Sequence, residues 1–181
     1  MGLVGQEYQV DPDADNTVTF ISRASIEQFE GVTSLIDGYV LLTTPRLEPG
    51  LGGAETELYF EVDLASLDTG ITLRNRHMRD NYLEVRAFPY ATLEGRLGSV
   101  QARADGGFGV ALVGTLGIHG VSKRVSVQCD VTEEGLGYRT QCSWQVLLSD
   151  YEIEIPKIMF LKLANEIRLE LDFVLMPVSE G

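Results

Sequence analysis

Thr56-Glu-Leu-Tyr-Phe-Glu-Val-Asp-Leu64 alternates apolar and polar residues without a fault. Leu58, Phe60, Val62 and Leu64 fall on one face, and Glu57, Tyr59, Glu61 and Asp63 on the other. A period of two marks a strand with one face in a core and one in water. The same period places Phe108, Val110, Leu112, Leu116 and Ile118 together, and Ile167, Leu169, Leu171, Phe173 and Leu175 together. Half-wet strands of this kind belong to antiparallel sheets. Weaker strands fit 17–23, 26–35, 37–43, 90–100, 123–132 and 138–148. Turn signals at Ile36-Asp-Gly38, Ala104-Asp-Gly-Gly107 and Glu133-Glu-Gly-Leu-Gly137 part them,. The pattern predicts an all-β chain, folded as a sandwich or a closed barrel.

One segment departs from the period. Thr72-Leu-Arg-Asn-Arg-His-Met-Arg-Asp-Asn-Tyr-Leu83 holds helix formers without alternation, which predicts a short helix inserted between two strands,. Arg74, Arg76, Arg79 and Arg86 crowd there, four of the chain's 14 basic residues. They read either as ion-pair partners, Arg76 with Asp80 for example, or as a positive rim around a ligand's head group.

The whole chain has 181 residues, enough for one domain with a real core, and the reading is a single domain over 1–181 with its folded part at about 6–178,. With 27 acidic against 14 basic side chains the net charge is −13, which argues against nucleic acid as a partner,. No apolar run reaches the roughly 18–20 residues of a membrane-spanning helix. The first residues carry neither a basic start nor a long apolar run,. The expected location is periplasmic, or otherwise exported, if a leader has been trimmed, and cytoplasmic if not.

Folding 123–132 onto 138–148 about Gly135-Leu136 sets Cys129 opposite Cys142, both on the apolar face. Two buried free thiols are the ordinary reading of such a pair. A cross-strand disulfide is the rarer one, and strand spacing allows it. Asp11, Asp13 and Asp15 open like a calcium loop, but Asn16 stands where that loop needs glycine, so they read as a solvated acidic turn,. The two histidines, His77 and His119, have neither the spacing of a metal site nor a local catalytic partner,.

Five segments occur in an order that resembles the YceI-like family: Tyr8-Gln-Val-Asp11, Leu67-Asp-Thr-Gly70, Arg76-His-Met-Arg-Asp80, Phe88-Pro-Tyr-Ala-Thr92 and Gly114-Thr-Leu-Gly-Ile-His-Gly-Val-Ser-Lys123. Its members are polyisoprenoid-binding proteins with a lipocalin-like barrel. The resemblance implies a single antiparallel barrel of about eight strands whose interior holds one isoprenoid lipid, a polyprenyl chain or a quinone tail. It implies no catalytic residue, no required cofactor, and a homodimer in some members. After Leu148, where members commonly carry an Arg, an aromatic and a Gly, this chain reads Ser-Asp-Tyr-Glu-Ile-Glu-Ile-Pro-Lys157.

On this reading Leu58, Phe60, Val62, Phe108, Val110, Leu112, Leu116, Val127, Trp144, Val146, Leu169 and Phe173 point inward to the lipid. Arg74, His77, Met78, Arg79, Tyr82, Met159 and Phe160 belong near the mouth. Gly114 leaves space in an otherwise bulky inward row. Two rival functions stay open. One is an enzyme acting on an isoprenoid with His77 or His119 as general base. The other is a filled barrel that works through its surface.

Overall fold

The computed structural model describes residues 5–23, 28–155, 157–158, 161–162 and 164–179. Its strands are β1 (Gln6–Val10), β2 (Thr17–Arg23), β3 (Gln28–Thr33), β4 (Ile36–Leu42), β5 (Glu57–Asp63), β6 (Tyr90–Ala102), β7 (Phe108–Ile118), β8 (Val121–Glu134), β9 (Gly137–Leu147), β10 (Lys157–Ile158), β11 (Leu161–Lys162) and β12 (Glu166–Pro177). One helix, α1, lies between β5 and β6. It is α-helical over Thr72–His77 and widens to a π turn over Met78–Tyr82.

β12 carries both β1 and β2 on one edge. Tyr8 sits opposite Pro177 and Val10 opposite Leu175, then Thr17 opposite Asp172 and Ser22 opposite Ile167. On the far side β4 pairs with β1, and β3 with β2. Thus β1 and β2 are two halves of one stave, and β3 and β4 are halves of the next. Taken this way, ten paired strands close into eight staves, each beside its sequence neighbour. The expected all-β antiparallel barrel with one inserted helix is the fold observed.

Both broken staves have a local cause. Between β1 and β2 the acidic turn leaves the wall, and Asn16, only 4% exposed, fills the gap. Asn16 Nδ2 donates to the Asp11 carbonyl at 2.7 Å, and its Oδ1 accepts the Val174 N–H at 3.0 Å. We expect Asn16→Ala to cost about 2–3 kcal/mol, because two backbone groups lose their partner. Urea unfolding measures this, and a loss under a few tenths would refute the role. In the second stave the break falls at Ser34-Leu35, where the Leu35 N–H donates to Thr33 Oγ1 at 3.0 Å. Ile36-Asp-Gly38, expected to be a turn, lies within β4. Glycine is needed there for a different reason: Gly38 has φ +146°, and a Cβ would sit 2.1 Å from the Tyr59 carbonyl oxygen of β5.

One end of the barrel is shut. The loop 43–56 folds over it, with Leu47 and Leu51 against the core. Tyr8 and Tyr138 pack with ring centres 5.4 Å apart, and the Arg46 guanidinium lies 4.6 Å over the Tyr138 ring. Tyr8 Oη donates to the Pro45 carbonyl at 2.7 Å, and Tyr138 Oη accepts the Leu47 N–H at 3.0 Å. Burial pushes the Tyr8 phenol above its usual value of about 10.

The seam between β8 and β9 is incomplete. β7 pairs with β8 along its whole length, from Ile118–Val121 to Phe108–Val131, but β8 and β9 pair only from Cys129–Cys142 to Glu134–Gly137. Where the ladder stops, Cys129 and Cys142 are joined by a disulfide. The bonded form, not the pair of free thiols, is the one this chain adopts, and the opposed register at one pleat explains it. Beyond the bond the two strands part. The turn Leu148–Tyr151 packs against both of them as a wedge, and Tyr151 and Ile153 are buried there.

Candidate functional site

The end of the barrel opposite the closing loop is hollow. A chamber of about 410 Å³ lies there, within the roughly 300–1,000 Å³ usual for small-molecule sites. Its wall follows from the strand period. Phe60 and Val62 of β5, Leu93 of β6, Leu116 and Ile118 of β7, Trp144 and Val146 of β9, and Ile167, Leu169 and Leu171 of β12 all face it. β2 adds Val18, Phe20 and Ser22. The wedge adds Ile153.

α1 and its flanks supply the rim: Ile71, Leu73, Arg74, His77, Met78, Tyr82 and Leu83. Ile71 and Leu73 are 51% and 59% exposed, so greasy side chains stand at the entrance in contact with water. A short polar network fixes the helix start. Asn75 Oδ1 accepts from Thr69 N–H and from Thr69 Oγ1 at 2.8 and 2.6 Å, and Asn75 Nδ2 donates to Asp68 Oδ1 at 2.9 Å. That amide and the Gly70 N–H hold the Asp68 carboxyl below its usual range. Arg74 turns back onto Thr69, bonding Oγ1 at 3.1 Å and the carbonyl at 3.0 Å.

Beneath the chamber, Phe60 and Phe173 meet with ring centres 5.0 Å apart and planes at 58°. A second void, about 50 Å³, lies on the closed side of this pair, and Phe60 borders both spaces. The pair is a floor.

The chamber gathers Phe60, Val62, Arg74, His77, Met78, Tyr82, Leu116, Trp144, Val146 and Leu169 of the residues assigned from sequence. Val110, Leu112 and Phe173 border the small void instead. Leu58 and Val127 are fully packed in the core and Phe108 is packed against it, so these three reach neither space. Arg79 points away and donates to the Ala65 carbonyl at 3.3 Å. Met159 and Phe160 lie outside the described residues. Arg76 and Asp80, offered as an ion pair, form none among the described residues.

Gly114 plays a different part from the one assigned to it. It sits opposite Gly95, and a Cβ on it would lie 2.1 Å from the Glu94 carbonyl oxygen. The missing side chain lets β6 and β7 approach; it does not hollow the chamber.

His119 is outside the chamber lining. Its Nε2 pairs with Glu84 at 2.5 Å, its Nδ1 lies 3.1 Å from the Tyr151 carbonyl, and the Phe88 ring meets it edge-on at 4.9 Å. It ties the strand connection β7–β8 to the segment after α1 and to the wedge. His77 does reach the chamber, at the rim.

Sequence reasoning missed the contribution of β2, because Ile21 is buried on the outer face while Phe20 faces in, and the alternation there is blurred. It also missed Ile71 and Leu73, whose side chains gain meaning only from where α1 lies.

Solved structures share this barrel. Burkholderia cenocepacia BcnA superimposes with a TM-score of 0.71 at 21% identity, over 91% of this chain and 98% of its own. A polyisoprenoid binding domain from Saccharophagus degradans, implicated in plant cell wall breakdown, gives 0.69 at 17%, over 94% and 98%. A UPF0312 protein of Yersinia pestis (strain Pestoides F) is 30% identical over 99 residues, 51% of this chain and 49% of that protein. The chain thus spans about half the length of the curated relatives it matches. The YceI-like domain accounts for residues 8–175, from within β1 to within β12, and the chain belongs to that family.

Proposed function

We propose that this protein binds one long apolar lipid of the isoprenoid kind, a polyprenyl chain or the tail of a quinone, as a carrier or store. The observation that carries the reading is the apolar chamber of about 410 Å³ beneath α1. The barrel interior acts as a solvent. Each methylene moved into it contributes about 0.8 kcal/mol, so one five-carbon prenyl unit contributes about 4 kcal/mol before the cost of association. The description of the Saccharophagus degradans domain as polyisoprenoid binding supports the same ligand class.

The Cys129–Cys142 bond supports an exported, periplasmic location, since such bonds persist where thiols are not kept reduced,.

Solvent extraction of the freshly purified protein followed by mass spectrometry tests the function. We expect a prenyl lipid at a substantial fraction of one per chain. An empty chamber that also fails to take up geranylgeraniol would overturn the reading.

A further inference from the structure

Two polar atoms in the chamber wall lack a hydrogen-bond partner among the described residues. Ser22 is 1% exposed. Its Oγ and the Nε1 of Trp144 are both buried, and neither has a hydrogen-bond partner among the described residues. Native interiors rarely leave such groups unmet, because a buried donor that has given up water and gained nothing is costly.

The ladder places the two together. Trp144 of β9 sits opposite Leu169 of β12, and Leu169 opposite Phe20 of β2. One pleat nearer the rim, Val146 sits opposite Ile167, and Ile167 opposite Ser22. So the indole N–H and the hydroxyl stand on the two strands that flank β12, one pleat apart, and both residues face the chamber. The side chains between them, Phe20, Val146, Ile167 and Leu169, are apolar and satisfy neither.

Resting on the lipid-binding reading, we propose that the ligand is not a plain hydrocarbon: it carries an uncharged oxygen, a carbonyl or hydroxyl, at the depth of Trp144, which accepts from Trp144 Nε1 and Ser22 Oγ. The oxygen is uncharged because the ionisable side chains among the described lining residues, Arg74, His77 and Tyr82, all belong to α1 at the rim. A charged head group would be held there and not against the β9–β12–β2 wall. Trp144 has a donor and no acceptor, so it demands an acceptor from the ligand. Ser22 is compatible with either sense.

Calorimetric titration of the wild-type protein, Ser22→Ala and Trp144→Phe with three probes tests this. The probes are geranylgeraniol, geranylgeranial and the hydrocarbon of the same skeleton. Wild-type protein is expected to prefer the alcohol and the aldehyde over the hydrocarbon by about three- to tenfold, the worth of a net hydrogen bond. Each substitution should shrink that preference, read within each variant as the ratio of alcohol or aldehyde affinity to hydrocarbon affinity. Equal affinity of the wild type for all three probes overturns the proposal while leaving lipid binding intact. So does an equal weakening of all three by both substitutions. Binding of none of them overturns the lipid reading itself.

Discussion

Phe173→Ala is expected to lower stability by about 3–5 kcal/mol and to lengthen the chain that the barrel accepts. Phe173 is 1% exposed and forms the floor with Phe60. Removing its ring forfeits transfer energy, leaves a hole, and breaks an aromatic contact that adds about 0.5–1.5 kcal/mol beyond area alone. The hole joins the chamber of about 410 Å³ to the void of about 50 Å³. Urea unfolding reads the first effect. A series of prenols of rising length reads the second: the preferred chain should grow by the alanine variant, and again by Phe60→Ala. If stability falls but length preference stays put, the pair is core and nothing more.

Breaking the Cys129–Cys142 bond is expected to cost about 3 kcal/mol. The residues are 13 apart in sequence, and closing a loop of that size in the unfolded chain is worth about that much,. For a protein of this length the loss corresponds to a fall of about 6–12 °C in Tm. The bond also stands where β8 and β9 part, so its loss should loosen the wedge and speed ligand release. Thermal unfolding with and without a reductant, and of a Cys129→Ala, Cys142→Ala double variant, checks the size. Equal melting temperatures would show that the hairpin holds itself.

The long strands were legible because water marks their outer face. Leu58–Asp63 alternates strictly, Phe108–Ile118 and Ile167–Leu175 keep one apolar parity, and all three are strands. The opposition of Cys129 and Cys142 followed from a short turn and a fixed period. The broken staves were harder. Asp11–Asn16 reads as surface because it is acidic, yet Asn16 is an inner fastening whose partner, Val174, is 158 residues away. Asp37-Gly38 has turn chemistry, but a close neighbouring strand demands the same glycine.

The chamber was half legible. Parity says which side chains face the axis, and Phe60, Val62, Leu116, Trp144, Val146 and Leu169 do face the space. Parity is silent on height along the barrel, so Leu58, Val110, Leu112, Val127 and Phe173 share their face but not their depth. The unmet donors of Ser22 and Trp144 were invisible in the sequence, since satisfaction depends on neighbours brought from other strands.

The parting of β8 from β9 has a mechanical consequence. A cylinder stitched all round by backbone hydrogen bonds has a fixed girth, because widening it means unzipping a whole row. Here the Leu148–Ile153 segment spans the parting and is held by buried side chains, a few turn bonds and the His119 imidazole. A shift of that insert would leave the β8–β9 ladder from Cys129–Cys142 to Glu134–Gly137 intact. On the proposed lipid-binding reading, a lumen built this way is expected to fit chains of unequal thickness, as a laced gusset fits what it encloses.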